Sequence, residues 1–293
     1  MYEDAPEELV HDALQDSIWR ESSLGMPILG TEETISAFTA DSIREYYERN
    51  YHTENIVLSV AGHFKTEEMF EKLNEKLGGW KREKPFLPYE TKAFCHHSKV
   101  LREKDVEQVH CCIAFPSFPA DHPTKYAMAV FNTLFGGGMS SRLFQKIREE
   151  NGLTYSIYSY RTVFRDTGLF SVYAGMNPNQ AEKTFSLAAK ELERARKEPF
   201  PEKLVEAVKE QLISGFLMGT ESTMNHMTAC GGSLLMTGRV EQEEEILSHL
   251  RAVTAEDVLE AARQVIDFEK LSFSAVGNLK GNDFPKLMKQ IFS

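Results

Sequence analysis

Long apolar runs are scarce in this chain of 293 residues. None approaches the roughly 20 residues that span a bilayer, and the N-terminus MYEDAPEELV has neither the basic region nor the apolar core of a signal peptide. These absences predict a cytoplasmic protein with no membrane partner. Cysteine is also sparse: Cys95, Cys111, Cys112 and Cys230 are the whole set, and no two of them have C-x-x-C spacing. No disulfide framework is suggested, and reduced thiols fit a cytoplasm. Blocks of basic residues are lacking as well. With 33 Lys and Arg against 44 Asp and Glu the formal charge is −11, which argues against nucleic acid as a partner because phosphate contacts need clustered cations. Gly136-Gly137-Gly138 is followed by no Lys-Ser or Lys-Thr and comes after a helical pattern rather than a strand, so neither a phosphate loop nor a dinucleotide fingerprint is present.

What is present is the composition of a soluble globular protein, 42% apolar and 26% charged, with length enough for two domains. The chain repeats itself. FTADSIREYYERNYHTENIVLSVAGHF, from Phe38, aligns without a gap with VTAEDVLEAARQVIDFEKLSFSAVGNL, from Val253, at an offset of 215. Each copy offers a Thr N-cap, an amphipathic helix, a buried-looking strand (IVLSVAG; LSFSAVG) ending in glycine, and a closing helix. One supersecondary unit is used twice. Residues 1–82 then read as the C-terminal part of a first repeat, 83–92 as a linker and 93–293 as a complete second repeat. The offset implies about 130 further residues of the first copy before Met1, and a strand IVLSVAG without its sheet partners, which predicts self-association.

Within the second copy, EQVHCCIAFPSF has the β-branched and aromatic content of a strand. Alternation puts His110 and Cys112 on one face and Cys111 on the other. Cys95-His96-His97 and His110-Cys111-Cys112 offer soft metal ligands, but adjacent strand residues point oppositely, and buried core cysteines are the better reading. KYAMAVFNTLFGGG is helical and stops at its glycines, which suit a C-terminal cap. Ser140 or Ser141 can cap the next helix, RLFQKIREENG. LTYSIYSYRTVF and GLFSVYAG are strands joined by the hairpin Arg165-Asp166-Thr167-Gly168. Helices follow at 178–197, 202–219 and 222–236. The order of elements predicts an α+β fold, a mostly antiparallel sheet packed by helices.

Arg148 and Tyr155 stand out in this copy, one at a helix end and the other at the following strand start. A guanidinium and a phenol are both donors, suited to holding a peptide carbonyl or a developing oxyanion. A helix-capping Arg and a half-buried Tyr would show the same spacing. His63 with Glu67 and Glu68 lies at a strand exit and helix start, where acidic residues favour the helix dipole without any metal.

SRLFQKIREENGLTYSIYS, EQVHCCIAFPSFP, RDTGLFSVYAG, ESTMNHMTACGGSLLMTGRV and LRAVTAEDVLEAARQV together resemble the insulinase/pitrilysin family of zinc metallopeptidases, most of all its bacterial processing-peptidase-like branch. MYEDAPEELVHDAL and SLGMPILGTEETI resemble the segment downstream of that family's metal site. The resemblance implies two homologous α/β domains around a chamber. It also implies a zinc motif, H-x-x-E-H, in the first domain and an Arg and a Tyr in the second that hold the substrate backbone. Only the latter pair maps onto this chain, as Arg148 and Tyr155. None of the nine histidines (11, 52, 63, 96, 97, 110, 122, 226 and 249) begins an H-x-x-E-H. The expectation is therefore the C-terminal portion of a zinc endopeptidase acting on extended, unfolded or presequence-like peptides. Within residues 1–293 it has no catalytic residue and no metal ligand, and it is inactive alone. Zinc belongs to the complete protein. The alternative is a non-catalytic partner or scaffold subunit that works beside a zinc-bearing homologue or a second copy of itself.

Overall fold

A computed structural model describes residues 5–80 and 93–292; the linker expected at 83–92 lies outside the described residues. The elements along the chain begin with α1 (Pro6–Ile18), α2 (Glu32–Ser36), α3 (Ala40–Asn50), α4 (Thr66–Leu77), β1 (Lys99–Glu103) and β2 (Val109–Ser117). After these come α5 (Lys125–Gly136), a π-helical turn (Phe144–Glu149), β3 (Ser156–Val163), β4 (Gly168–Met176), α6 (Ala181–Lys197) and α7 (Glu202–Thr220). The chain closes with α8 (Thr223–Thr237), α9 (Glu243–Ala252), α10 (Ala255–Val265), β5 (Ser272–Gly277) and α11 (Phe284–Ile291). The fold is α+β, and none of the described helices is long and apolar enough to cross a membrane. Two compact units form: Met1–Met26, Lys92–Ser214 and Gln242–Ser293 make one, Pro27–Thr91 and Gly215–Glu241 the other.

The first unit is built on a five-stranded sheet of order β1-β5-β2-β4-β3, parallel only between β1 and β5. β2 is central and buried from Val109 to Phe115. Its alternation separates two cores, as its sequence requires. Val109, Cys111, Ile113 and Phe115 join the large cluster with α5, α6, α10 and α11. Cys112 and Ala114 join the smaller cluster under α1, with Leu14, Ile18 and Trp19. Cys111 and Cys112 are both fully buried, and burial pushes both thiols well above their ordinary range, so they act as core hydrophobes rather than nucleophiles. The hairpin between β3 and β4 closes as expected, with Phe164 N–H donating to Thr167 carbonyl at 2.9 Å. β1 carries no signal that singles it out in the sequence; it completes the sheet through β5.

In the second unit lie α2, α3, α4 and α8, with no strand among its described residues. Against the expectation, IVLSVAG over Ile56–Gly62 is not a strand, whereas its counterpart is β5. The physical reason is pairing: β5 lies between β1 and β2, and the first copy has no strand beside it among the described residues. Everything that depends only on local sequence is nevertheless repeated. Residues α3 and α10 each span 11 residues, both with capping boxes, Thr39 with Ser42 and Thr254 with Asp257. The short 3₁₀ turns Thr53–Asn55 and Phe268–Lys270 fall at the same offset, and Gly62 (φ 149°) and Gly277 (φ 126°) both end their segments at positive φ.

One hydrogen bond is repeated too. Ser274 Oγ donates to the Val10 carbonyl of α1 at 2.8 Å, and Ser59 Oγ, its counterpart, donates to the Met227 carbonyl of α8 at 2.7 Å. α1 lies in the first repeat, residues 1–82, but covers the sheet of the second. α8 lies in the second copy but is clasped by the extended segment of the first.

Candidate functional site

The glycine turn positions the site by contact rather than by conformation. Gly137, the C-cap of α5, has φ −82°, so no left-handed cap forms there as the sequence suggested. At Gly136 a Cβ would collide with the backbone nitrogen of Ser159, so α5 presses directly on β3. Ser159 Oγ donates to Asn132 Oδ1 at 2.9 Å, and Arg161 Nη1 donates to the Lys125 carbonyl at 3.1 Å, fastening the same strand to the same helix. Burial lowers the Arg161 pKa from its ordinary value.

Beyond the turn, the expected α-helix is instead π-helical over Phe144–Glu149. Glu150 N–H reaches back five residues to Gln145 carbonyl at 2.9 Å. Apolar residues four apart fit either period, so Leu143 and Ile147 could not distinguish them in the sequence. Neither Ser140 nor Ser141 caps it; the Ser141 hydroxyl is buried without a hydrogen-bond partner. The helix ends at Gly152, φ +61°, whose N–H donates to Arg148 carbonyl at 3.0 Å, and Leu153 N–H donates to Ile147 carbonyl at 3.1 Å. Tyr155 N–H then donates to Gly175 carbonyl at 2.9 Å, one residue before β3 begins.

The two sequence-derived residues therefore sit where expected, Arg148 on the last turn and Tyr155 at the entry to the strand. Arg148 is exposed, with its guanidinium over the Phe144 ring at 4.9 Å, and Tyr155 is 61% exposed. Neither side chain makes a hydrogen bond or ion pair with another described residue, so the reading of a capping Arg and a half-buried Tyr does not describe them. β3 pairs only with β4, leaving it at the edge of the sheet.

The opposite face of the sheet carries a cluster that the sequence reading missed. His11 Nδ1 is 2.6 Å from Tyr160 Oη, His11 Nε2 is 3.3 Å from Tyr158 Oη, and His110 Nδ1 is 2.7 Å from Tyr173 Oη. Tyr160 Oη also lies 3.5 Å from Cys112 Sγ. Burial, and then the neighbouring His110, depress His11 to a pKa of about 4, so it stays neutral at pH 7. Alternation in β2 and β3 aligns four of these residues, but His11 is 149 residues from its tyrosine partner and no local pattern signals it. Cys95, His96 and His97 are not brought to this cluster as a ligand set: Cys95 Sγ lies 3.6 Å from Thr167 Oγ1, and His96 Nε2 lies 3.5 Å from Glu21.

The family described as "Peptidase M16 inactive domain" matches residues 37–212. The chain is 35% identical over 281 residues to the uncharacterized zinc protease YmxG of Bacillus subtilis, covering 95% of this chain and 68% of that protein. It is 34% identical over 295 residues to an uncharacterized zinc protease of Streptomyces coelicolor, covering 98% of this chain and 64% of that one. The chain thus spans about two thirds of the length of these relatives. Among solved structures, a peptidase M16 inactive domain from Pseudomonas fluorescens superposes with TM-score 0.83 at 19% identity, covering 94% of this chain and 67% of that one. A chain of complex III2 from Candida albicans superposes with TM-score 0.85 at 18% identity, over 99% of this chain and 71% of its own length. The matched segment takes in the first copy of the repeat and the Arg148–Tyr155 turn, and the chain belongs to the M16 peptidase family.

Proposed function

We propose that residues 1–293 form the substrate-holding portion of a zinc-dependent endopeptidase that acts on extended, unfolded or presequence-like peptides. Residues 1–82 would be the end of a first, zinc-bearing repeat and 93–293 the whole of a second. The observation that carries this reading is the exposed pair Arg148 and Tyr155, whose side chains make no hydrogen bond with another described residue, at the head of an edge strand in a chain whose relatives are named zinc proteases. A peptide laid along β3 would extend the sheet through its backbone. Arg148 and Tyr155 would donate to a substrate carbonyl and hold the chain in register. Such recognition reads backbone rather than sequence, which suits unfolded substrates.

The family's H-x-x-E-H motif has no counterpart in this sequence, and His11 and His110 are already bonded to tyrosines. In this reading zinc and the chemistry of water activation belong to the complete protein.

The test is cleavage of an unstructured, fluorescence-quenched peptide by the 293-residue chain and by a form extended upstream to the next in-frame start. Chelator-sensitive cleavage is expected only from the extended form. In that form, Arg148→Ala is expected to lower kcat/KM by about 10- to 100-fold and Tyr155→Phe by about 5- to 10-fold, the range for losing a charged and a neutral hydrogen bond. Unchanged kinetics in both variants would remove the pair from the site. A second reading rests on the fold shared with a chain of complex III2: a non-catalytic subunit that sits beside a zinc-bearing homologue. It takes the lead if the extended form binds no zinc and cleaves nothing, and affinity purification should then recover that homologue.

A further inference from the structure

A pocket of about 700 Å³ lies behind the glycine turn, between the loop Gly137–Ser141 and the start of α7. Its volume is that of a small-molecule site. Three cations line it, Arg142, Lys146 and Arg194, and among the described residues no carboxylate does. In a chain of net charge −11 that selection is unusual. The carboxylates that balance these cations stand outside the wall. Glu150 is 2.7 Å from Lys146 and Glu198 is 2.8 Å from Arg194, both within hydrogen-bond distance. Arg142 is served less well: Glu191 Oε2 is 3.7 Å from its Nε, beyond a hydrogen bond, and Nη1 has no partner. Its side chain is only 11% exposed and lies against the Phe200 ring, 3.9 Å from the centroid. Beside it Ser141, 2% exposed, has no partner for its hydroxyl. Buried polar groups of this kind call for a partner, and a planar guanidinium held on an aromatic face presents a fork that fits a carboxylate. Leu134, Phe200, Leu204 and Val208 give the wall an apolar part, beside the uncharged polar Thr133, Ser140, Gln145 and Gln211.

We propose that this pocket binds an organic carboxylate carrying an apolar side chain of about leucine size, the group found at the C-terminus of a peptide or on a free aliphatic acid. Glu191 balances the charge of Arg142 but leaves its Nη1 without a hydrogen bond, and the apolar side chains beside it suit a carboxylate with an apolar body better than inorganic phosphate, which is compact and has none. Binding is separate from the peptidase reading and holds or fails without it.

Calorimetric titration of the 293-residue chain with N-acetyl-leucine, isocaproate, N-acetyl-leucinamide and inorganic phosphate tests the site. Saturable binding of one or both carboxylates is expected, at least about tenfold tighter than the amide, as the loss of a charge-assisted hydrogen bond dictates. N-acetyl-leucine ahead of isocaproate identifies a peptide terminus as the source, and the reverse order a free acid. Arg142→Gln should abolish binding. Because that change touches a buried ion pair, Leu204→Glu serves beside it: Leu204 is 52% exposed at the rim, so the fold should survive while the added charge repels the ligand. Circular dichroism checks that both variants are folded. Binding of the amide as tight as the acid, binding unchanged in folded Leu204→Glu, equal binding of phosphate, or no binding of either carboxylate overturns the proposal.

Discussion

Gly136 shows how a single hydrogen atom can set the position of an element. Because its α-carbon abuts the Ser159 nitrogen, any side chain there forces α5 away from β3. Gly136→Ala is expected to cost about 1–3 kcal/mol, the usual range for overpacking a tight contact. Urea denaturation should register it, and an unchanged midpoint would contradict the contact. His11 offers a second test. Its folded pKa, about 4, lies below its ordinary value of 6.5, so the unfolded chain binds the proton more readily between these values. The stability contributed by neutral His11 is therefore complete above pH 6.5 and is lost progressively as pH falls toward 4. His110, also depressed by burial, is bonded to Tyr173, whose ring packs on His11 as well, with Glu7 opposing its shift and Cys112 beside Tyr160. Denaturation midpoints should fall less over that range in His11→Asn than in the unaltered protein. Equal slopes would assign the acid sensitivity elsewhere.

At the scale of elements, what was legible in the sequence was whatever a few neighbouring residues decide. The Thr39 and Thr254 capping boxes, α6, α7 and α8, the hairpin before Gly168 and the inside-outside alternation of β2 all follow from local chemistry. The placing of Arg148 on a last helical turn and of Tyr155 at a strand entry was legible as well, while the role proposed for the pair comes from family resemblance rather than spacing. The departures at Ile56–Gly62 and Ile43 have one cause, which is that partners far along the chain decide the outcome. Ile56–Gly62 carries the pattern of β5 and forms no strand, because pairing rather than propensity makes a strand. In the same way Ile43, matched to fully buried Val258, is 59% exposed. The π-helical turn at Phe144 escaped because its apolar spacing suits an α-helix equally well. The cation-lined pocket was invisible because α6 and α7, which supply Arg194 and Leu204, lie some fifty residues from the serine loop.

At the scale of the molecule, chain order and structural order differ. The first compact unit takes residues from three separate stretches, and its smaller core depends on α1, which inserts Trp19 fully buried and edge-on to Phe164 at 5.1 Å. The serine clasps make the exchange reciprocal: each copy of the repeat contributes a helix to the unit that houses the other copy's strand segment. The peptide bonds between Trp80 and Ala93 are then not what keeps α1 on its sheet. If a protease site is introduced there and cut, the N-terminal fragment should remain with the C-terminal one through gel filtration without denaturant, and part from it in urea. Trp19→Ala, which removes about 3–5 kcal/mol of buried aromatic packing, should loosen the pair. Fragments that separate on cutting would show that the exchange of helices does not hold by itself. Fragments that stay together would show a protein whose cohesion is woven across its backbone, so that a nick in the chain leaves the fabric whole.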